Sequence, residues 1–192
     1  MRVIAGTFRG RRLRTPAGLG TRPTTDRVKE ALFNLLGGSV QDVRVLDCFS
    51  GSGSLGIEAL SRGAASVVFV EQGREAAQAL RANLASMGLE REPTARLLQR
   101  PLEKSIPQLA TLGPFDLWLV DPPFPMLRDG TAQRILQGLV AAGLLAKGGV
   151  VAMEYPSDMQ CPEIPGLEVE DERPYGDCRL VFFRSFSPAD TK

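Results

Sequence analysis

Four consecutive residues, Asp121-Pro122-Pro123-Phe124, bring together a carboxylate, carbonyls that a strand cannot pair and an aromatic ring. Neither proline has an N–H to give a sheet ladder, so the chain must leave its strand there. The carboxylate and a free carbonyl accept hydrogen bonds, and the ring stacks on flat groups. The set suits a planar group carrying an NH2, although the same residues would also make a rigid strand-end turn. A second set lies upstream, in Asp47-Cys48-Phe49-Ser50-Gly51-Ser52-Gly53-Ser54-Leu55-Gly56. Gly51, Gly53 and Gly56 have the G-x-G-x-x-G spacing of nucleotide-binding loops, and Glu71 follows where such folds place a ribose-binding acid. Asp47 precedes the glycines and would repel a pyrophosphate, which favours a helix N-terminus without a carboxylate nearby. It suits the α-ammonium of a methionine moiety instead. The loop therefore fits S-adenosylmethionine better than NAD, with Glu71 on the ribose hydroxyls and Gln72 beside the adenine.

These residues need a scaffold that delivers them to one edge. Apolar runs of strand length occur at Val43 to Asp47, Val67 to Glu71, Ala95 to Leu98, Phe115 to Asp121 and Val150 to Tyr155. Between them, helical periodicity appears at Leu55 to Leu60, Glu75 to Met87, Leu102 to Leu109 and Thr131 to Ala142. Strands alternating with helices predict an α/β, Rossmann-like doubly wound sheet, mostly parallel, with right-handed crossovers. Leu167 to Arg173 and Arg179 to Phe186, joined at Tyr175-Gly176-Asp177, predict a C-terminal antiparallel hairpin. At the other end, Met1 to Ala5 and Arg11 to Arg14, with Gly6 and Gly10 between them, predict a small N-terminal β-hairpin arm. Arg22-Pro23-Thr24-Thr25-Asp26 opens a helix whose apolar face is Val28, Leu32, Leu35 and Leu36, capped by Thr25 or Asp26 and closed by Gly37-Gly38. The expected division is a basic arm over residues 1–20 and a catalytic domain over residues 21–192.

Charge separates the two parts. The formal net charge is +1, but residues 1–30 hold eight basic residues against two acidic ones, a local balance of +6 that leaves −5 for the remainder. A basic arm on a mildly acidic body points to a polyanion partner. The chain has no histidine, which excludes histidine-based catalysis, and its three cysteines form no C-x-x-C pair, so neither a disulfide framework nor a zinc site is expected. A metal-free cytoplasmic protein with no membrane segment and no secretory signal is the expectation.

The combination Arg9-Gly10-Arg11-x-Leu13, Arg22-Pro23-Thr24-x-Asp26-Arg27-Val28-x-Glu30-Ala31-Leu32-Phe33-Asn34, Asp47-x-Phe49-x-Gly51-Ser52-Gly53 and Asp121-Pro122-Pro123-Phe124 resembles the bacterial RsmD-type 16S rRNA guanine-N2 methyltransferases, over nearly the whole chain. The resemblance implies a Rossmann-like methyltransferase using S-adenosylmethionine. It also implies action on guanine 966 of 16S rRNA, in the small ribosomal subunit or its assembly intermediate; a monomer is the separate expectation. The implied cofactor contacts are Asp47, Phe49, Gly51, Gly53, Glu71 and Gln72, with Gln99 and Arg100 at the adenine. That last pair is a departure, because Pro101 or Leu102 stands where many methyltransferases carry an acid or amide that reads the adenine amino group.

In the implied reaction Asp121 and the Pro122 carbonyl accept the two hydrogens of the substrate amine. They thereby direct its lone pair at the methyl group, while Phe124 stacks on the unstacked base. Arg9, Arg11, Arg12 and Arg14 are expected on phosphates, with Arg22 and Arg27 where the arm meets the body. Other readings stay open on the residues alone. Adenine N6 is an amine that the same tetrapeptide could hold. A non-enzymatic RNA-binding assembly protein would share the arm and the fold. An NAD-dependent oxidoreductase would share the glycine spacing.

Overall fold

The computed structural model describes residues 1–16 and 26–186. Five strands, β1 (Arg44–Asp47), β2 (Ser66–Val70), β3 (Ala95–Leu98), β4 (Phe115–Val120) and β5 (Leu145–Pro156), run parallel. The chain then adds β6 (Leu167–Tyr175) and β7 (Cys178–Ser185), and β7 runs antiparallel to both β5 and β6. The sheet order is β3-β2-β1-β4-β5-β7-β6. The chain thus builds outward from β1 to β3, returns to place β4 against β1, and builds the other way. The β1–β4 seam is the switch point, where the carboxyl ends of the strands open a crevice suited to ligands. The mostly parallel sheet with a closing hairpin is the expected fold.

The helices are α1 (Asp26–Leu36), α2 (Ser54–Ser61), α3 (Arg74–Ser86), α4 (Leu102–Leu109), α5 (Phe124–Arg128) and α6 (Thr131–Ala141). Both sheet faces are covered, so the central strands carry apolar residues at consecutive positions rather than at alternate ones. Val45, Val67, Phe69, Leu117 and Leu119 pack on one face against the arm, α1, α2 and α3. Leu46, Val68, Val70, Trp118 and Val120 pack on the other against α4 and α6.

Four local expectations change. The apolar stripe of α1 is rotated: Lys29 and Phe33 are buried, while Leu35 is 40% exposed. Lys29 reads as a surface residue in sequence, but its ammonium finds Glu58 at 3.6 Å on α2. The strand-end turn at the two prolines leads directly into α5, a helix the sequence periodicity does not predict, because Pro123 and Pro125 sit in its cap and first turn, where a missing N–H costs nothing. β5 begins at Leu145 rather than Val150, crossing Gly148-Gly149 with a register shift against β4. Finally, the arm forms a single antiparallel bridge, Arg2 to Arg12, rather than two strands. Its ladder stops because the amides of Ile4 and Ala5 donate to the Glu58 carboxylate, at 2.8 and 3.0 Å.

Candidate active site

The glycine loop joins β1 to α2, and its glycines have separate jobs. A Cβ on Gly56 would lie 2.3 Å from the Phe69 ring and 2.9 Å from Val67 and Asp47, so this glycine lets α2 pack on the sheet. Gly53, at φ +84°, lies against Leu80 of α3. Gly51 has φ +53°, and a Cβ there would meet nothing within 4 Å. It faces open space on the cleft side, where a ligand could approach the backbone. Two amides anchor Glu71 at the tip of β2: Gly51 N donates to Oε2 at 2.8 Å and Gly73 N to Oε1 at 2.6 Å. A carboxylate has room for about four hydrogen bonds, so two fixed ones leave capacity for a pair of hydroxyls.

Asp47 lies elsewhere than expected. It is 2% exposed, and Oδ2 accepts from the Gly56 amide at 3.0 Å beneath the loop. The cleft wall at this point is Cys48, Phe49 and Ser50, not the Asp47 side chain. Burial pushes its carboxyl up to about 7, with Asp121 and Glu71 adding to the rise and the Gly56 amide opposing it. Asp47, at the end of β1, therefore sits close enough to Glu71 and Asp121, at the ends of β2 and β4, for each to raise it.

Asp121 leaves the tip of β4 beside β1, half-buried in the cleft wall. Pro122 is buried, and Pro123 caps α5 with its own carbonyl taken by the Met126 amide at 2.9 Å. Among the described residues no backbone amide donates to the Pro122 carbonyl. Phe124, the first residue of α5, lies in the wall beside them.

The cleft holds about 530 Å3 and is shared by Phe49, Gly51, Glu71, Gln72, Arg100, Asp121, Pro122 and Phe124. Besides Asp47, two residues read as cofactor contacts are not brought in: Gly53 does not line the cleft, although its neighbours Ser52 and Ser54 do, and Gln99 Oε1 accepts from Arg81 at 2.6 Å on the surface. Sequence reading missed Glu103, Thr131, Ile135 and Met126, all in the same wall. Glu103, in the first turn of α4, places a carboxylate two residues beyond Pro101. The one signal for it is an acidic residue at the start of a helix following β3. Among the described residues lining the cleft, the one basic side chain is Arg100, against the carboxylates of Glu71, Glu103 and Asp121.

On the arm, Arg9, Arg11, Arg12 and Arg14 are exposed, as is Arg27 on α1. Arg22, with Thr24 and Thr25, lies outside the described residues. The arm rests on α2: a Cβ on Gly6 would overlap the Ser61 carbonyl, and Phe8 N donates to Ser61 Oγ at 2.9 Å. Thr15 and Pro16 continue into the cleft wall. Among the described residues there is no cluster of metal-ligating side chains, and no helix is long and apolar enough to cross a membrane.

A sheet of this order, with a glycine loop and an acid–Pro–Pro–aromatic tip at its switch point, defines the Rossmann-like methyltransferase class. The chain belongs to the family described as Conserved hypothetical protein 95, the RsmD family, whose model matches residues 1–184. It is 39% identical over 165 residues to the Ribosomal RNA small subunit methyltransferase D of Escherichia coli K12, spanning 86% of this chain and 79% of that protein. It is 35% identical over 186 residues to YlbH of Bacillus subtilis, spanning 96% and 98%. The solved structure of yhhF from Escherichia coli superposes with a TM-score of 0.81 at 36% identity, covering 96% of this chain and 97% of that one. SMU.776, solved in complex with SAH, shares the fold at a TM-score of 0.63 and 14% identity, covering 82% of this chain and 48% of that one.

Proposed function

We propose that this protein methylates the exocyclic N2 amine of a guanine in 16S rRNA of the small ribosomal subunit, guanine 966, with S-adenosylmethionine as donor. The observation that carries it is the sharing of one cleft by the Asp121-Pro122-Pro123-Phe124 tip and the Gly51–Glu71 pocket. Support for the target comes from the relatives whose names give small-subunit rRNA methylation.

The residues fit the donor. Gly51 is open to the cleft, and Glu71 is pre-fixed for a ribose. Glu103 supplies the acceptor for an adenine amine that Pro101 lacks. The clustered carboxylates favour a ligand that brings positive charge, as a sulfonium and an ammonium do, over a pyrophosphate. Bound there, S-adenosylmethionine supplies an electrophilic methyl group. Asp121 and the Pro122 carbonyl hold the two amine hydrogens, so the nitrogen lone pair faces the methyl carbon. Positive charge that grows on the nitrogen as it accepts the methyl group would be stabilised by these two acceptors. The nitrogen then releases a proton to Asp121 or to water. Phe124 gives the flipped base a stacking surface, returning ~1–3 kcal/mol of the cost of unstacking.

The test is transfer of label from S-adenosylmethionine to small subunits purified from a strain lacking the enzyme, followed by mapping. Label at N2 of guanine 966 is expected. Label at an adenine, or none on competent subunits, would overturn the assignment.

A further inference from the structure

Two buried polar side chains tie the arm to the glycine loop. Asn83 of α3, 1% exposed, has its whole amide engaged. Its Oδ1 accepts from Arg14 N at 2.8 Å, and its Nδ2 donates to Arg14 O at 3.0 Å and to Ser52 O at 2.9 Å. Lys29 of α1, fully buried, donates to Arg2 O at 2.6 Å and to Ser54 Oγ at 3.1 Å. Each side of the arm hairpin is thus fastened to a residue flanking Gly53. Met1 and, just past the Arg14 tie, Thr15 and Pro16 complete the wall of the cleft that holds Gly51 and Glu71.

A ligand filling that cleft touches both the loop and the continuation of the arm. It therefore binds the docked arm better than a displaced one, and by linkage shifts the arm toward docking. Exposed Arg9, Arg11 and Arg12 are carried on the same arm, so a polyanion that needs them in one place gains from the same shift. Coupling of this kind is reciprocal between the two ligands. Resting on the reading of the cleft as an S-adenosylmethionine site, we propose that Asn83 and Lys29 are positioning residues that couple the two ligands: cofactor occupancy sets the arm for RNA, and RNA on the arm tightens the cofactor site.

The measurement is the affinity of the full chain for small ribosomal subunits lacking the methyl mark, with and without saturating S-adenosylhomocysteine, which cannot react. Wild type is expected to bind subunits ~5-fold or more tightly with it, within the usual range of coupling factors. Asn83→Ala is expected to bring that ratio to about 1. A merely structural role would weaken both affinities and leave the ratio as in wild type. A wild-type ratio of 1 with the nucleoside bound, or a ratio retained in Asn83→Ala, overturns the coupling. Failure of the nucleoside to bind at all overturns the cofactor reading instead. Should Asn83→Ala fail to fold, hydrogen exchange of wild type decides: the amides of Ile4, Ala5 and Arg14 must slow when the nucleoside binds, and unchanged rates overturn the proposal.

Discussion

Asp121 and Asp47 are acids at the tips of neighbouring strands with different surroundings, and they predict different phenotypes. Asp121 faces the cleft and meets the substrate amine in the proposed reaction. Asp121→Ala is expected to lower the rate of transfer by roughly 10^2–10^3, the scale for removing one transition-state hydrogen-bond partner. The dissociation constant for S-adenosylhomocysteine should stay close to wild type, and calorimetry beside single-turnover kinetics separates the two. Asp47 instead holds the loop from below. Its carboxyl rises from 3.8 to about 7 on folding, mainly through burial. The folded protein then keeps a proton that the unfolded chain releases, so the stability this group contributes is present below ~4 and is lost as pH climbs to ~7. The unfolding midpoint of the ligand-free protein should fall across that window, and Asp47→Asn, which cannot titrate, should flatten the fall. A half-protonated Asp47 also repels a pyrophosphate less than an ionised one would. The preference for a cationic donor therefore draws on Glu71, Glu103 and Asp121 as well.

At the scale of elements, the sheet was readable because its central strands are apolar at consecutive positions and punctuated by glycine or proline. β3 and α4 match their expected bounds, and most other elements agree within a residue or two. What sequence could not show was polar burial over long separations. Lys29 and Glu58 are 29 residues apart, and their approach exists only after α1 and α2 pack on the same sheet face. That hidden pair rotates α1 and removes Leu35 from the core. The same holds in the site: Asp47 reads as a ligand contact, but its partner, the Gly56 amide, becomes visible only once α2 turns back over β1. Glu103 has only its place at a helix start as a sequence signal, because Pro101 and Leu102 occupy the position where the acid is expected and the turn of α4 carries the residue back to the cleft. Glu58 carries the largest prediction at this scale. It accepts from Ile4 N, Ala5 N and Arg62 Nε and faces Lys29. Glu58→Ala leaves these part-buried donors unpaired and buried Lys29 without the Glu58 carboxylate, so urea unfolding should show a loss of about 3–5 kcal/mol.

For the molecule as a whole, opposite charges are kept apart: a basic arm near the mouth of an acidic cleft. In the proposed reaction the arm positions RNA through phosphates, and the cleft receives the base. Exposed Arg2 and Asp26 approach at 3.8 Å, and a pair so solvated adds little. Replacing Arg11 and Arg12 together by alanine should reduce the slope of log affinity against log salt by about 2, roughly one for each phosphate no longer neutralised. Titrations of small subunits at several salt concentrations measure this, and an unchanged slope would place the phosphates elsewhere.

The strand order also bears on how the chain comes off the ribosome. Among the described residues β6 has a single neighbour in the sheet, β7, and β7 is made after it. While synthesis proceeds at ~5–20 residues per second, Leu167–Tyr175 emerges before the strand it pairs with, and the open flank of β5 waits with it. The last strand then closes two gaps at once, zipping along Val150–Pro156 on one side and Leu167–Tyr175 on the other. Until that moment the free flank of β5 and the unpaired Leu167–Tyr175 segment are both exposed, and a ribosome stalled before Cys178 would display a sheet open to foreign strands.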